Sequence, residues 1–195
     1  MMKKTHAHWF DHANALQPAP LLRAWLTDPG SMTFKLRARC NELRVLRLRQ
    51  RPGNAQADEA GFLGLATSRQ PVEERDVILY CDGEPVIFGH TVTPLASASA
   101  WPFFRHLGVR PLGASLFSDP LVTRAPLQYA RLHANHPLVR RIGTVIDLHS
   151  KAPPQLPLYA RRSLFRRHGS VMLVTDVFLP ALSKLMALNT QASTR

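Results

Sequence analysis

Cysteine is scarce in this 195-residue chain, which contains only Cys40 and Cys81. Two cysteines are too few for the disulfide framework of a small secreted domain, and these two lack the C-x-x-C spacing of zinc and redox sites. We therefore expect two free thiols in a reducing compartment.

Long apolar segments are also absent. The longest, residues 171–182, is short and is interrupted by Asp176 and Pro180. Near the N-terminus, His6 and His8 occupy positions where the apolar core of a secretory signal would run. A membrane-spanning helix needs about 20 mostly apolar residues. We therefore expect a cytoplasmic protein with no membrane contact.

Motifs of several common enzyme classes are missing. The patterns G-x-S-x-G, G-x-x-x-x-G-K-S/T and G-x-G-x-x-G do not occur, which excludes the usual hydrolase, nucleotide and dinucleotide sites. His133 and His136 have a spacing that suits a metal, but Pro137 disfavours a helix that would hold both rings together. We expect no metal site.

Acidic residues are few, since 13 Asp and Glu stand against 25 Lys and Arg, for a formal net charge of +12. Such a surplus suits nucleic acid, an anionic membrane surface, a small anionic substrate, or a basic surface that serves only solubility. The pairs Arg161-Arg162 and Arg166-Arg167 have no recognised nucleic-acid module around them. We interpret them as part of a solvated edge strand with some inward side chains, and we expect no nucleic-acid partner.

Two β-hairpins are the clearest structural signal. β-rich runs at residues 75–81 and 86–93 flank a turn at Asp82-Gly83, and runs at residues 159–167 and 170–179 flank His168-Gly169. Helical patterns surround the hairpins, at residues 21–26, at 32–40 with Ser31 as the N-cap, at 97–106 and at 111–117. This order predicts a single α+β domain with an antiparallel sheet.

The domain boundaries follow from where these patterns begin and end. We place the domain at residues 19–183, after a poorly structured lead-in at residues 1–18 and before a C-terminal tail at residues 184–195. Residues 133–158 are rich in proline and read as an excursion from the core.

Arg75 and Asp176 are the most informative charged residues. Strand alternation puts Arg75 on one face with Val77 and Leu79, and Asp176 on one face with Val174. A charge that faces the core costs several kcal/mol unless it is paired. Either the two residues pair with each other or sit at strand ends, or both line a cavity, where a guanidinium fork would fit a carboxylate.

Seven short sequence motifs, in a fixed order, resemble those of the chorismate pyruvate-lyase family and together cover residues 21–182. They are Ser31-Met32-Thr33; Arg75 followed by Cys81-Asp82-Gly83-Glu84-Pro85; Gly89-x-Thr91-Val92-x-Pro94; Pro111-Leu112-Gly113-x-x-Leu116-Phe117; Thr123-Arg124; Arg161-Arg162-Ser163; and Thr175-Asp176-Val177-Phe178-Leu179-Pro180. Each is weak alone, but seven in order are specific. Residues 133–158 are the main length difference and would be an insertion.

The resemblance implies a twisted antiparallel sheet with an internal ligand site covered by helical flaps, near residues 29–40 and 105–115. It implies a monomeric lyase that converts chorismate to 4-hydroxybenzoate and pyruvate on the route to ubiquinone, with no metal or organic cofactor. The +12 charge would then help to steer a dianionic substrate.

The resemblance also implies roles for individual residues. Arg75 would bind the ring carboxylate, the backbones of Met32 and Leu112, with Gly113 beside them, would close the pocket, and Asp176 would contact the hydroxyl end of the ring. Two positions depart from the family's pattern. Asp176 stands where the family usually has Glu, and His90 stands where we expect Arg, so that a carboxylate held by His90 would be held in a pH-dependent way.

Two other functions remain open at this point. A ligand-sensing domain of the same fold, as in the effector domains of some transcription regulators, would bind an aromatic carboxylate without converting it. A basic nucleic-acid-binding protein would lose affinity steeply as the salt concentration rises.

Overall fold

Two antiparallel hairpins form the centre of the computed structural model, which describes residues 6–149 and 157–192, without the side chains of 147–149 and 188–192. Strands β2 (Pro71–Cys81) and β3 (Glu84–Pro94) meet at Asp82 and Gly83, whose φ angles are 49° and 82°. The two strands at residues 158–167 and 170–178 are joined in the same way at His168-Gly169, where the φ angles are 48° and 77°. The left-handed backbone at these turns suits glycine, as the sequence predicted.

The hairpins belong to one antiparallel sheet. In chain order, the other strands are β1 (Leu43–Asn54), β4 (Thr123–Arg124), β5 (Gln128–Leu132), β6 (Leu158–Arg167) and β7 (Ser170–Phe178). The described part of the chain forms seven strands in the order β1-β2-β3-β7-β6-β4, and β5 also pairs with β6. All of these pairings are antiparallel. The predicted α+β fold with an antiparallel sheet is confirmed.

The helices of the described residues are short. They are α1 (Pro20–Leu26), α2 (Met32–Arg37), α3 (Ala57–Ala60), α4 (Leu112–Ser118), α5 (Pro137–His149) and α6 (Leu182–Ala192). The predicted helix at 97–106 is instead two 3-10 segments, Leu95–Ala100 and Phe104–His106. Trp101 between them precedes Pro102, and a residue before proline is disfavoured in the helical conformation.

Apolar side chains cover both faces of the sheet. We call the face that carries Leu79, Ile87 and Phe178 the front face, and α1, α2 and α6 pack on it. α4 packs on the same face against Phe165 and Met172. The back face is covered by α5, whose buried side chains contact those of Ile78, Phe88, Ala160 and Val177. A sheet covered in this way can enclose a ligand between its front face and the short helices.

Three segments that we expected to lie outside the core contribute to it. In the lead-in, Phe10 pairs with Tyr129, and the buried Ala13 and Leu16 lie in a 3-10 helix. The segment 133–158 contains α5, which is buried on the back face, and the tail forms α6. These expectations were wrong because the apolar residues of all three segments pack against partners that are distant in sequence. Whether 133–158 is an insertion stays a prediction, and residues 150–156 lie outside the described residues.

The two cysteines are free, and their sulfur atoms are 2.9 Å apart. Cys40 follows α2, and Cys81 ends β2, so the contact joins the end of this short helix to the sheet. Burial, with the nearby Cys40 thiol, raises the pKa of Cys81 well above its ordinary value. The Cys81 thiol is therefore expected to stay protonated.

Candidate active site

A cavity lies between the front face of the sheet and the helices α2 and α4. Its empty volume, which includes the solvent at its opening, is about 670 Å³. The sheet contributes mainly apolar or small side chains to its wall, and the helices contribute apolar ones. The described lining residues include Val45, Val77, Leu79, Gly89, Thr91, Val174, Met32, Leu112, Leu116 and Phe117.

Arg75 lies on the floor of this cavity and is 1% exposed. Its Nη2 donates to the carbonyl oxygens of Gly108 and Arg110, each at 3.1 Å, and its Nε is buried without a hydrogen-bond partner. Burial, with a smaller effect of the nearby Arg47 charge, lowers the pKa of Arg75 to about 10. The side chain therefore stays cationic at neutral pH and has a donor that is free for an anion.

Asp176 lines the same cavity from β7, as the strand alternation predicted. It does not pair with Arg75. Its Oδ2 instead accepts a hydrogen bond from Nε of Arg161 over 3.0 Å, and Arg161 also donates to the carbonyl oxygens of Asp28 and Gly30. The carboxylate is thus anchored by a neighbouring guanidinium at one end of the cavity.

The sheet register gives the spacing between the two predicted charges. Arg75 lies opposite Thr91, which lies opposite Val174, two residues before Asp176. Two strand spacings of about 4.8 Å and two residues of about 3.4 Å separate the Cα atoms of Arg75 and Asp176 by about 12 Å. Since both side chains enter the cavity, the space between them suits one ring with a polar group at each end.

Met32, Leu112 and Gly113 close the cavity from above. Met32 and Leu112 are the first residues of α2 and α4, and both side chains are buried. The helices approach so closely at Gly113 that a Cβ atom there would lie 2.4 Å from Oγ of Ser31. An alanine there would therefore force Ser31 to rotate or one helix to shift. All three residues line the cavity, and their contact with a ligand stays a prediction.

His90 does not lie in the cavity, and the expectation that it contacts the ligand is wrong. Its neighbours Gly89 and Thr91 line the cavity, so strand alternation turns His90 to the back face. There it lies between two carboxylates, with Nδ1 2.5 Å from Oδ1 of Asp76 and Nε2 3.0 Å from Oε1 of Glu59. His90 belongs to the packing of the back face.

The side chains of His90, Asp76 and Glu59 form a buried network of charges behind the cavity. Burial alone would lower the pKa of His90, but the carboxylates of Glu59 and Asp76 raise it to about 10. Burial would likewise raise the pKa of Asp76, but His90, Arg141 and Arg49 lower it below its ordinary value. The result is a cationic His90 between two anions, immediately behind the strands that carry the cavity.

Three arginines that line the cavity were not placed there from the sequence. Arg161 and Arg162 were interpreted as part of a solvated edge, but β6 lies between β7 and β4 and both side chains are buried. Arg124 also lines the cavity, between the rings of Phe117 and Phe165. The sequence held one signal for Arg161: counting back from the tight turn at His168-Gly169 places it opposite Asp176.

Residues 6–149 and 157–192 contain neither a candidate metal cluster nor a membrane-spanning helix. No cluster of three or more His, Cys, Asp or Glu side chains is arranged to hold a metal ion there. His136, one of the two histidines with metal-like spacing, is instead 3.4 Å from Asp58. Within the same range, every helix is too short or too polar to cross a membrane.

A cavity lined by arginines, between an antiparallel sheet and two short helices, is typical of a small-ligand-binding domain. A family model described as chorismate lyase matches residues 3–187. The chain belongs to this family.

Proteins named probable chorismate pyruvate-lyase are its relatives. The one from Cupriavidus metallidurans is 45% identical over 183 residues, which cover 93% of this chain and 84% of the relative. The one from Cupriavidus pinatubonensis is 48% identical over 165 residues, covering 84% and 82%. The one from Aromatoleum aromaticum is 42% identical over 167 residues, covering 84% and 87%.

Solved structures show that the fold is shared more widely. The effector domain of PhnF from Mycobacterium smegmatis superposes with a TM-score of 0.52 at 18% identity, covering 77% of this chain and 89% of that domain. A second structure, of PhnF itself, gives a TM-score of 0.52 at 17% identity, covering 78% of this chain and 65% of PhnF. At such low identity these matches concern the fold alone.

Proposed function

We propose that this chain is a chorismate pyruvate-lyase that converts chorismate to 4-hydroxybenzoate and pyruvate. The observation that carries the proposal is that Arg75 and Asp176 line one cavity, with their Cα atoms about 12 Å apart. The family membership and the names of the relatives support the same substrate.

In the proposed complex, Arg75 binds the ring carboxylate of chorismate. Its buried Nε has no other acceptor, and a guanidinium matches a carboxylate in charge and in shape. The backbones of Met32 and Leu112 complete this end of the pocket. Both residues begin helices, where the first N–H groups have no acceptor within the helix.

The reaction is an elimination that makes the ring aromatic. The bond from ring carbon 3 to the enolpyruvyl oxygen breaks, carbon 4 loses its proton, and the electron pair of that C–H bond completes the aromatic ring. The departing enolpyruvate gains one proton and becomes pyruvate. Since aromatisation supplies the driving force, the protein has to hold the substrate in a reactive shape, exclude water and stabilise the negative charge on the departing oxygen.

Asp176 accepts a hydrogen bond from the hydroxyl group on carbon 4 in this proposal. Its bond to Arg161 fixes the carboxylate and leaves a guanidinium close to where charge develops. The family's usual Glu would reach one methylene further. Asp176 therefore depends on the backbone position of β7, and a misplacement of about 1 Å can cost on the order of 10²-fold in rate.

We also propose that catalysis requires no metal or organic cofactor, and that the protein acts as a cytoplasmic monomer on the route to ubiquinone. The elimination transfers no electrons to an acceptor. The cavity already provides cationic groups for the charge that a metal would otherwise stabilise.

A direct assay tests the function. Purified protein is mixed with chorismate in the presence of a chelator, and pyruvate and 4-hydroxybenzoate are followed together. Equal amounts of both products support the proposal, and turnover that requires added metal contradicts its metal-independent form. Binding of 4-hydroxybenzoate without turnover of chorismate would instead support a sensing domain, for which the fold shared with the PhnF effector domain provides a precedent of architecture only.

A further inference from the structure

Among the described residues, four arginines line the cavity, and their hydrogen bonds distinguish them. Each guanidinium nitrogen of Arg161 donates a bond, to Asp176, Asp28 or Gly30. Each nitrogen of Arg162 also donates, to Gln128 or to the carbonyl oxygen of Asp58. The guanidinium of Arg162 lies over the rings of Trp9 and Phe62, away from the cavity. Every guanidinium nitrogen of these two residues therefore already has an acceptor within the protein.

Arg75 and Arg124 differ from these two. Each has a buried Nε without a hydrogen-bond partner. A buried donor with no acceptor destabilises the folded protein, the more so when it is charged, and such atoms are rare in folded proteins. A ligand with an anionic group at each of these nitrogens would remove that cost. The cavity thus has two unmatched cationic donors, whereas the product 4-hydroxybenzoate has only one carboxylate.

Arg124 lies at the Asp176 end of the cavity. It extends from β4 between the rings of Phe117 and Phe165, and its Nη1 donates to the carbonyl oxygen of Pro29 over 2.5 Å. Burial, followed by the charge of Arg161, lowers the pKa of Arg124 to about 10, while Asp176 opposes the shift. The guanidinium is therefore close to Arg161 and Asp176 and remains cationic at neutral pH.

The substrate has its second carboxylate at this end. With the ring carboxylate of chorismate on Arg75, ring carbons 3 and 4 point toward Asp176. The enolpyruvyl group leaves from carbon 3, and its carboxylate extends beyond the ring on that side.

We propose that Arg124 binds the carboxylate of the enolpyruvyl group. This inference rests on the proposed function, because it takes chorismate as the substrate. Arg75 then contacts a group that substrate and product share, whereas Arg124 contacts a group that only the substrate has. Arg124 is a specificity residue that favours the dianion over the monoanionic product and holds the leaving group in line.

The test compares Arg124→Met with Arg166→Met. Methionine preserves much of the apolar contact with the two phenylalanine rings and removes the charge. Arg166 is exposed on β6, opposite Thr123, so its loss removes the same charge close to Arg124 but outside the cavity. For each protein we measure kcat/KM for chorismate and, by calorimetric titration, Kd for 4-hydroxybenzoate.

We expect Arg124→Met to lower kcat/KM by about 10- to 100-fold, the loss of a charge-assisted hydrogen bond, and to leave the Kd of 4-hydroxybenzoate within about threefold of the wild type. Retained product binding also shows that the variant folds. Arg166→Met should change kcat/KM and the Kd of 4-hydroxybenzoate by no more than about threefold, because it only weakens the long-range attraction of the anionic ligand. Arg124→Lys keeps the positive charge but lacks the planar guanidinium, so its kcat/KM should lie between those of Arg124→Met and Arg166→Met.

Two results would overturn the inference: an unchanged kcat/KM in Arg124→Met, or equal losses of kcat/KM and of product affinity. A wild-type protein that does not turn over chorismate would contradict the proposed function instead. In that case the calorimetric Kd of chorismate replaces kcat/KM, and the same comparison of variants decides whether Arg124 recognises the second carboxylate.

Discussion

Arg161 and Asp176 face each other across β6 and β7, with 3.0 Å between Nε of the first and Oδ2 of the second. Asp176 is the one acidic side chain among the described residues that line the cavity. Its partner is therefore built into the adjacent strand, and the carboxylate is positioned before any ligand arrives. A preorganised group of this kind need not be reoriented during the reaction.

This pairing leads to a prediction for Asp176. Asp176→Glu should keep or raise the rate of chorismate turnover, because the longer side chain restores the usual reach of the family. Asp176→Asn should lower kcat by about 10-fold or more, since the amide leaves Arg161 without its anion. Steady-state kinetics of both variants check this. A complete loss of turnover in Asp176→Glu would show that the site is shaped around the shorter acid.

Arg75 should be essential for both substrate and product binding. Arg75→Met removes two possible charge-assisted bonds to the ring carboxylate and should lower kcat/KM, and the affinity for 4-hydroxybenzoate, by at least about 100-fold. Arg47→Met is a matched control, because Arg47 is exposed and close enough to influence the pKa of Arg75. Calorimetric titration and kinetics measure both effects. Normal product affinity in Arg75→Met would place the carboxylate elsewhere.

The close contact of α2 and α4 gives a prediction that includes its own rescue. Gly113→Ala would put a methyl group 2.4 Å from Oγ of Ser31, so one helix must shift or Ser31 must rotate. We expect a roughly 10-fold weaker affinity for 4-hydroxybenzoate, in line with the about 1–3 kcal/mol cost of overpacking. Ser31→Ala removes the clashing oxygen. The double variant should regain most of the affinity, and failure to do so would refute this contact as the cause.

His90 should affect stability rather than ligand binding. Its folded pKa of about 10 lies above the ordinary value of 6.5, so its stabilising contribution is fully present below about pH 6.5 and is lost as the pH rises toward 10. The free energy of unfolding, measured with urea, should therefore fall between pH 6.5 and 9.5. The slope from one proton is at most about 1.4 kcal/mol per pH unit.

A variant separates this effect from other titrations. His90→Gln leaves Asp76 and Glu59 without a cation between them and should destabilise the protein by about 3–5 kcal/mol near neutral pH. It should also flatten the pH dependence above pH 6.5. Where the variant remains folded, its Kd for 4-hydroxybenzoate should match the wild type. A pH-dependent ligand affinity that disappears with His90 would contradict its position on the back face.

Much of the fold could be predicted from local patterns. β-rich runs on either side of Asp82-Gly83 and His168-Gly169 specify both hairpins because register follows from a tight turn. Strand alternation in the hairpins was enough to predict that the side chains of Arg75 and Asp176 face inward. The same rule, applied to β3, would have shown that His90 faces away from Gly89 and Thr91, and the family pattern alone was misleading there.

Other parts depend on contacts between distant segments. α5 and α6 bury their apolar sides only because the sheet offers a surface for them, and the prolines near α5 concealed this in the sequence. Arg124 could not be placed in the cavity because β4 has only two residues and no turn fixes its register with β6. Long-range packing, rather than local propensity, decides such positions.

The two bonds from Nη2 of Arg75 to the carbonyl oxygens of Gly108 and Arg110 have a consequence for ligand entry. Every two-point contact between a guanidinium and a carboxylate uses either both terminal nitrogens or Nε with Nη2, and both arrangements require a proton of Nη2. Both of its protons already have acceptors in residues 108–110. A two-point contact with a carboxylate would therefore compete with these two bonds, which couples ligand binding at Arg75 to the position of residues 108–110.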